Sequence, residues 1–370
     1  MTAESAPALG WDFPDQVQAY LQIAGGRPVG VSNLATQVDV IGTGAGSVPV
    51  TVNHSESANC WVCSPHTAYV RYSREELRRL AHPFLAAPLA TLCGTLGGYL
   101  WKAEIDTAVA INNWTLSTNI YPALNGRLLG EWIDEARQRW PLHAIWFRSL
   151  NDRYTPAWLA QLANLGCEMI PSRQVYLYDR IDLSTRAPAN LRRDLKLWHG
   201  RRHEVVEAGS WSPRDFVRAA ALYEMLYMDK YSRLNPHYDA SFLHAWHTAG
   251  LLRLMGWRNE SGELEAVVGL FGSGSTLTAP IVGYDTQSSP RRGLYRLLMA
   301  AVYELAARSD QRINLSAGAA QFKRLRGGVA SIEYSAVYAR HLPRKRQRAI
   351  HLLSRITTTF GEPLMRRFQW

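Results

Sequence analysis

Hydrophobic and polar positions follow the same succession of patterns in two separate parts of the chain. Each part predicts a helix, a strand, a short helix and a second strand, from a helical period that alternates with short apolar or alternating runs. In the first part these elements are predicted at 126–140, 143–150, 155–166 and 172–180. In the second part they are predicted at 290–309, 311–316, 319–328 and 331–340.

The likeness between the two parts extends to their side chains. In both parts a glycine is followed by a predicted strand of alternating pattern that ends in Tyr and Arg. The two segments are LGCEMIPSRQVYLYDR and GGVASIEYSAVYAR. This agreement indicates an internal duplication, although unrelated α/β units also share such an order. The polar, proline-bearing segment 183–196 is the predicted joint. The predicted domains are 1–185, 186–342 and a basic C-terminal helix or tail at 343–370.

The rest of the chain predicts an α+β layout with a mixed sheet. Residues 1–70 are rich in Gly, Ser, Thr and Val and predict short strands and turns without a long helix. A helix is expected to begin at Ser73, with Glu76 completing a capping box. A basic helix and a strand are predicted within 190–209, and further helices at 212–234 and 238–250 are followed by three strands, two of them a hairpin around GSGS.

Composition sets the broad class of the protein. The chain has 370 residues, 47% of them hydrophobic, which is enough for about two domains. Its formal net charge of +10 suggests anionic partners. Four cysteines favour a reducing compartment, and the N-terminal residues do not resemble a signal peptide, so we expect a cytoplasmic protein. The uncharged stretch 83–101 contains prolines and glycines and predicts a buried core helix rather than a membrane span.

Three segments carry a resemblance to a known family. They are NLRRDLKLWHGRRHEV, APIVGYDTQSSPRRGLYRLL and SAGAAQFKRLRGG, in this order between 190 and 328. Together they resemble the Gcn5-related N-acyltransferase (GNAT) superfamily, and the duplicated arrangement resembles Fem-type ligases and BioF2-like acyltransferase domains. The likeness covers about 190–340 well and the first half loosely. It implies tandem GNAT-like domains, each a mixed, mostly antiparallel sheet flanked by helices.

The resemblance also implies where a donor would bind. In the family the central strands part ahead of the long helix, and backbone N–H groups at the start of that helix receive the phosphates of coenzyme A. Such a helix start favours anions. Here Gly293 matches one characteristic position of the family's loop. Pro290 and Tyr295 replace the residues that the family has at the other two. Arg291, Arg292 and Arg326 are therefore predicted to hold phosphate through their side chains.

Four residues are candidates for the chemistry of acyl transfer. The resemblance implies that Lys323 stabilises an oxyanion or a phosphate. Asp285 is predicted to orient or deprotonate an amine, and Tyr284 or Tyr334 to protonate a leaving group. Structural alternatives remain for all of them: cations such as Lys323 complement the end of a helix, Asp285 suits a turn, and tyrosines pack in alternating strands.

Other constellations do not point to a catalytic class. Cys60 and Cys63 are spaced like zinc ligands, with His54 and His66 beside them, but no second pair follows, so no metal is predicted. A nucleophile elbow, a phosphate loop of the Walker type and a dinucleotide fingerprint do not occur. The C-terminal stretch 323–370 carries eleven Lys and Arg against two Glu. It predicts an amphipathic basic helix that is either solvated or bound to RNA, an anionic membrane or a carrier protein.

Three functions are consistent with the sequence. The preferred one is an N-acyltransferase that moves an acyl group from coenzyme A or an acyl carrier protein to the amine of a small molecule. The second is a Fem-like aminoacyltransferase that uses aminoacyl-tRNA. The third is a scaffold without catalysis that binds RNA or an acidic protein. No permanently bound cofactor is expected, because acyl-CoA or aminoacyl-tRNA would be a co-substrate. The sequence does not predict the acceptor or the oligomeric state.

Overall fold

A computed structural model describes residues 13–56, 58–78, 83–201 and 204–368. The described residues contain twelve α-helices. They are α1 (Phe13–Ala24), α2 (Tyr72–Arg78), α3 (Pro83–Lys102), α4 (Gly126–Arg139), α5 (Pro156–Asn164), α6 (Ala189–Arg201), α7 (Pro213–Glu224), α8 (Ala240–Thr248), α9 (Leu294–Arg308), α10 (Ala320–Arg324), α11 (Arg344–Ile356) and α12 (Glu362–Phe368). Wider π-helical turns lie at Thr67–Arg71, Met225–Tyr231 and Thr357–Gly361.

One mixed sheet runs through the described part of the chain. Its eleven strands are β1 (Gln37–Ile41), β2 (Val48–His54), β3 (Thr107–Ile111), β4 (Ala144–Asn151), β5 (Glu168–Tyr178), β6 (Val205–Glu207), β7 (Arg253–Arg258), β8 (Leu264–Ser273), β9 (Thr276–Tyr284), β10 (Arg312–Asn314) and β11 (Val329–Tyr338). Their order across the sheet is β1-β2-β3-β4-β11-β5-β10-β9-β8-β7-β6. The α+β class with a mixed sheet and flanking helices is confirmed.

The predicted repeat of helix, strand, short helix and strand is present in both halves. It is formed by α4, β4, α5 and β5 in the first half and by α9, β10, α10 and β11 in the second. The last strands are exchanged: β11 lies between β4 and β5 and is antiparallel to both, while β5 also pairs with β10. Backbone hydrogen bonds therefore join the halves into one sheet. The domain boundaries given above stay a prediction.

Two strands part near the centre of the second half. The parallel pair β9 and β10 is hydrogen-bonded only over Thr276–Thr278 and Arg312–Asn314. Beyond Thr278, β9 continues to Tyr284 with β8 on its other side, whereas the chain after β10 turns towards β5, where the Leu315 N–H donates to the Tyr176 carbonyl. We call the space between residues 279–284 and 315–317 the strand gap. Its position agrees with the parting of strands that the resemblance implies.

Helices cover both faces of the sheet in the second half. On one face α6 and α9 pack against Met255, Ala266 and Val268, in a core that includes Leu297 and Leu298 of α9. On the other face α7, α8 and α1 form a separate core. Because successive side chains of a strand point to opposite faces, β8 is buried along its whole length, and it is apolar except for Glu265 and Ser273. This two-sided burial fixes the strands that border the strand gap.

Two expectations for the N-terminal part were wrong. Residues 13–24 form helix α1, although no long helix was predicted before residue 70; Val17 and Tyr20 bury this helix against the core of the second half. The helix expected to begin at Ser73 starts earlier, because the π-helical turn Thr67–Arg71 leads directly into α2. Ser73 thus lies inside helical structure and does not act as its cap. Tertiary packing of apolar side chains outweighed the local signals.

The uncharged segment 83–101 forms helix α3, but the prediction of a buried core helix was wrong. In its described side chains, Leu96 and Leu100 are buried, whereas Leu92, Tyr99 and Trp101 are exposed. The helix therefore lies at the surface with one face against the first half. Within the described residues, no helix has both the length and the apolar character to cross a membrane.

The contact between β9 and α7 leads to a stability prediction. A Cβ atom at Gly283 would lie 2.6 Å from the backbone of Leu222 and Tyr223, so Gly283→Ala forces α7 away from the sheet. We expect a loss of about 1–3 kcal/mol in the free energy of unfolding, measured by urea titration. Gly130→Ala is the control, because nothing lies within 4 Å of an added Cβ in the interior of α4. That change should stabilise by about 1 kcal/mol. Equal effects of the two changes would contradict the prediction.

Candidate active site

Aromatic side chains surround the strand gap. Tyr284 ends β9, Tyr295 lies in the first turn of α9 and Phe322 lies on α10. The ring centroids of Tyr284 and Tyr295 are 6.2 Å apart, and those of Tyr295 and Phe322 are 4.7 Å apart. Tyr227 and Tyr231, from the π-helical turn after α7, are partly buried against the same core. Irregular helical turns of this kind often occur at functional sites.

Lys323 lies buried behind the residues that follow β10. Only 4% of the residue is exposed. Its ammonium nitrogen donates to the carbonyl oxygens of Leu315 at 2.7 Å, Ala317 at 2.8 Å and Ser316 at 3.3 Å. Three donors thus meet three acceptors, so a buried charge is held by oriented dipoles. The ammonium group faces the residues that border the strand gap and is not directed into solvent.

The turn between β10 and α10 creates this arrangement. Ser316, Gly318 and Ala319 all have positive φ angles, of 58°, 78° and 49°. The backbone therefore folds back on itself and aims successive carbonyl groups at one point, which α10 then fills with Lys323. From β5, the Tyr178 hydroxyl donates to the Lys323 carbonyl at 2.9 Å and fixes the short helix against the sheet.

Burial shifts the protonation of Lys323 towards the physiological range. The loss of hydration, with a further contribution from the positive charge of Arg173, lowers the pKa of Lys323 to about 7. Burial disfavours the charged form of an amine, so a lowered pKa is the expected direction. The ammonium and the neutral amine are then both accessible near neutral pH. Such a group can donate a hydrogen bond or exchange a proton during a reaction.

The other predicted catalytic residues occupy different places. Tyr284 borders the strand gap, and its hydroxyl accepts a hydrogen bond from the Lys230 ammonium at 3.3 Å. Asp285 lies in the following turn, where it accepts from the Gln287 N–H and lies 3.4 Å from a guanidinium nitrogen of Arg218. These contacts suit a turn residue at the rim of the gap. The catalytic roles of both residues stay predictions.

Tyr334 is not brought together with Lys323. Its hydroxyl donates to Glu362 of α12 at 3.1 Å, and burial, with the nearby negative charge of Glu362, raises the pKa of Tyr334 to about 12. It is paired with Pro171 on β5, whereas Lys323 lies over the ring of Tyr176. These two β5 positions are about 16 Å apart along the strand. A shared reaction centre for Tyr334 and Lys323 has no support in this geometry.

The predicted phosphate-binding residues are also divided. Gly293 has a φ of 62° and precedes the first turn of α9, where no side chain caps the helix. Arg291 is exposed, but the guanidinium of Arg292 is paired with the buried carboxylate of Glu265. Arg326 is 7% exposed and is paired with Asp194. Arg291 is thus accessible to an anion beside the uncapped helix start, whereas internal carboxylates already hold the other two arginines.

Several residues that position the site were missed in the sequence. Asp194 of α6 is 1% exposed and bridges Arg296 and Arg326, which ties α6 to α9 and to the end of α10. Tyr176 and Tyr178 lie beside Lys323 on β5, a strand of the other half. Alternation along the strand signals that these tyrosines share a face. It carries no information about the helix that covers them, because that contact follows from the strand exchange.

The cysteine-rich segment is part of the interior. Cys60 and Cys63 are buried free thiols, and the Asn113 amide donates to the Cys63 sulfur at 3.5 Å. His54 lies instead against His143, with ring nitrogens 3.0 Å apart. Across the described ranges, no group of three or more His, Cys, Asp and Glu side chains is arranged to hold a metal ion.

Comparison with known proteins gives structural neighbours only. No protein-family model matches the sequence, and no curated protein is similar to it. Among solved structures, the chain is similar to FemX, with a TM-score of 0.47, 11% identity, and coverage of 67% of this chain and 83% of the other. It is also similar to L-PGS from Bacillus licheniformis, with a TM-score of 0.45, 12% identity, and coverage of 67% and 82%.

A third neighbour is a GCN5-related N-acetyltransferase from Kribbella flavida. The TM-score is 0.34 at 12% identity, and the likeness covers 64% of this chain and 84% of the other. Identities at this level give no information about substrate or chemistry. The function is therefore argued from the residues of this chain.

Proposed function

We propose that this protein is an N-acyltransferase. It moves an acyl group from a thioester, carried by coenzyme A or by an acyl carrier protein, to the amine of a small molecule. Acyl-CoA or acyl carrier protein is a co-substrate in this proposal, and no permanently bound cofactor is needed. The observation that carries the proposal is Lys323, a buried ammonium group with a pKa near neutrality, held at the edge of the strand gap.

The reaction requires few groups from the protein. The acceptor nitrogen attacks the thioester carbonyl, a C–N bond forms, the C–S bond breaks, and the proton lost by the amine goes to the departing thiolate. Negative charge develops on the carbonyl oxygen in the transition state, and a preorganised donor stabilises it. In our proposal this oxygen replaces the carbonyl of Ser316, which at 3.3 Å accepts the longest of the three hydrogen bonds from Lys323.

The aromatic side chains around the gap support an acyl substrate. Tyr284, Tyr295 and Phe322 offer partly buried apolar surface around the strand gap, and apolar walls with few polar groups are typical of small-molecule sites. Such walls also exclude water, which favours aminolysis of the thioester over hydrolysis. The uncapped start of α9 and the exposed Arg291 form the proposed contact for donor phosphates.

One observation favours a second source of the transferred group. Helix α11 buries Ala349, Ile350 and Leu353 and exposes Arg344, Lys345 and Arg348. This basic surface suits a polyanion, so aminoacyl-tRNA is the alternative donor. Binding of tRNA through such cations would weaken steeply with salt.

The donor can be identified by calorimetry and turnover. We expect coenzyme A and short acyl-CoAs to bind with dissociation constants below 1 mM and to support release of free thiol in the presence of amines, at rates that depend on the acyl chain. Aminoacyl-tRNA titrated at 50 and 200 mM salt tests the alternative, for which affinity should fall by orders of magnitude. Acylated carrier protein is titrated in the same way. If acyl-CoA, acylated carrier protein and aminoacyl-tRNA all fail to bind, the transferase proposal is wrong and the non-catalytic scaffold remains.

A further inference from the structure

A second cationic group lies in the interior of the first half. Arg148, on β4, donates from Nη1 to the side-chain oxygen of Asn113 at 2.8 Å. Its Nη2 atom is out of contact with solvent and has no hydrogen-bond partner among the described residues, although the residue as a whole is only partly buried. Buried donors nearly always have an acceptor, and a buried charged donor needs one most. The unfilled position on Arg148 therefore requires an explanation.

The neighbouring carboxylate does not supply the missing partner. Glu333, 2% exposed, accepts from Arg173 Nε at 2.8 Å and from Arg173 Nη2 at 3.2 Å. In the part of the chain that the structure describes, no carboxylate lies within ion-pair distance of Arg148. Burial lowers the pKa of the Arg148 guanidinium, and the charge of Arg173 acts in the same direction. An arginine nevertheless stays protonated in proteins, so the cluster keeps one uncompensated positive charge.

Trp61 connects this charge with the strand gap. The guanidinium carbons of Arg148 and Arg173 lie 5.0 Å and 4.7 Å from the centre of the Trp61 ring. The indole nitrogen of Trp61 donates to the Asn235 side chain at 3.0 Å, and the Asn235 amide donates to the Tyr227 carbonyl at 3.0 Å. Tyr227 belongs to the aromatic group around the strand gap. The cluster thus lies where the two halves meet, next to the proposed reaction site.

We infer that Arg148, Trp61 and Arg173 form a binding site for an oxyanion, a carboxylate or a phosphate, with Nη2 of Arg148 as the principal donor. A charge-assisted hydrogen bond to that atom would satisfy the buried donor and neutralise the remaining charge at once. The Nη2 atom is out of contact with solvent, which strengthens its attraction for an anion. The identification of this anion as part of the amine acceptor rests on the proposed function, and it makes the acceptor an amine that also bears a carboxylate or a phosphate.

Anion-dependent thermal stability tests the site without any turnover. Wild-type protein is unfolded in chloride, acetate and inorganic phosphate at constant ionic strength, with each anion titrated. A ligand that binds only the folded state raises the unfolding temperature in a saturable way. We expect acetate, phosphate or both to do so, and the stronger of the two identifies the class of oxyanion. For each protein, the unfolding temperature is compared with its own value in chloride. In Arg148→Met, half-saturation of the rise should need about ten- to a hundredfold more anion than in wild type.

The control is Arg137→Met. Arg137 is exposed on α4 and paired with Asp134, so its loss should leave the anion response unchanged. The site does not exist if wild type shows no saturable response, or if Arg148→Met keeps it in full. A response that depends on Arg148 in a protein without acyl transfer would retain the site and remove only its assignment to the acceptor. The protein is also assayed with amines that lack an acidic group. If their kcat/KM equals that of amines that carry one, the assignment to the acceptor is wrong.

Discussion

Replacing Lys323 by methionine is expected to lower kcat for acyl transfer by about 10²- to 10³-fold. Loss of one preorganised donor to a developing oxyanion has this magnitude in acyl-transfer enzymes. KM for the donor should change much less, because in our proposal the hydrogen bond forms mainly in the transition state. The measurement is steady-state release of free thiol with the best acyl-CoA, on protein whose folded fraction is established by circular dichroism.

Structural effects of this change need separate controls. Methionine leaves the carbonyl groups of Leu315, Ser316 and Ala317 without the ammonium group, so some loss of stability is expected as well. Arg324→Met removes an exposed cation from the same helix and should leave kcat within twofold of wild type. Lys323→Arg keeps the charge but does not titrate near neutrality.

The pH profile distinguishes a catalytic role from a structural one. Wild-type Lys323 is protonated below about pH 7, so its contribution to the rate should decrease as the pH rises through that value. This decrease should be absent in Lys323→Arg, where the guanidinium stays charged. A Lys323→Met variant that is folded and retains wild-type kcat would exclude the proposed role.

The largest stability effect is expected at Asp194. Its carboxylate is buried and holds both Arg326 and Arg296, so Asp194→Ala leaves a buried guanidinium without a counter-charge. Removing one partner of a buried pair costs about 3–5 kcal/mol in the free energy of unfolding. We expect a loss of this size in urea titration, together with reduced activity, because Arg326 follows the helix that carries Lys323.

The double variant Asp194→Asn with Arg326→Met is the informative control. It removes both charges, so its unfolding free energy should lie well above that of Asp194→Ala. Asp134→Asn, in the exposed pair with Arg137, should change stability by less than about 1 kcal/mol. If Asp194→Ala costs no more than Asp134→Asn, the buried bridge does not stabilise the contact between α6, α9 and α10.

The sequence predicted the succession of elements around the site more reliably than the elements before it. The helix at 126–140, the strand at 143–150 and the alternating strands at 172–180 and 331–340 all occur, within a few residues. They were predictable because their hydrophobic periodicity is strong and glycines or prolines mark their ends. Helix α1 was missed, since it is held by contacts with residues far along the chain, such as those of Tyr20 with Trp114 and Trp246.

The candidate site was predicted only in part, for a related reason. Lys323 and Tyr284 border the strand gap as the local motifs indicated. Arg292, Arg326 and Tyr334 are instead engaged by Glu265, Asp194 and Glu362, residues between 27 and 132 positions away along the chain. Charge and residue type identify arginines that could bind a phosphate, but they do not show which carboxylate pairs with each arginine in the folded protein.

The sequence by itself determined the class of fold and the repeated order of helices and strands, because periodicity and turn residues act over a few neighbouring positions. It also determined the position of Lys323 on a short helix that follows a buried strand and a turn. Only the tertiary structure decided that the halves exchange their last strands, that α3 lies at the surface, and that Arg148 meets Trp61 and Arg173. Those outcomes depend on burial and on pairing between segments far apart in the chain, where apolar area and uncompensated charge outweigh local preference.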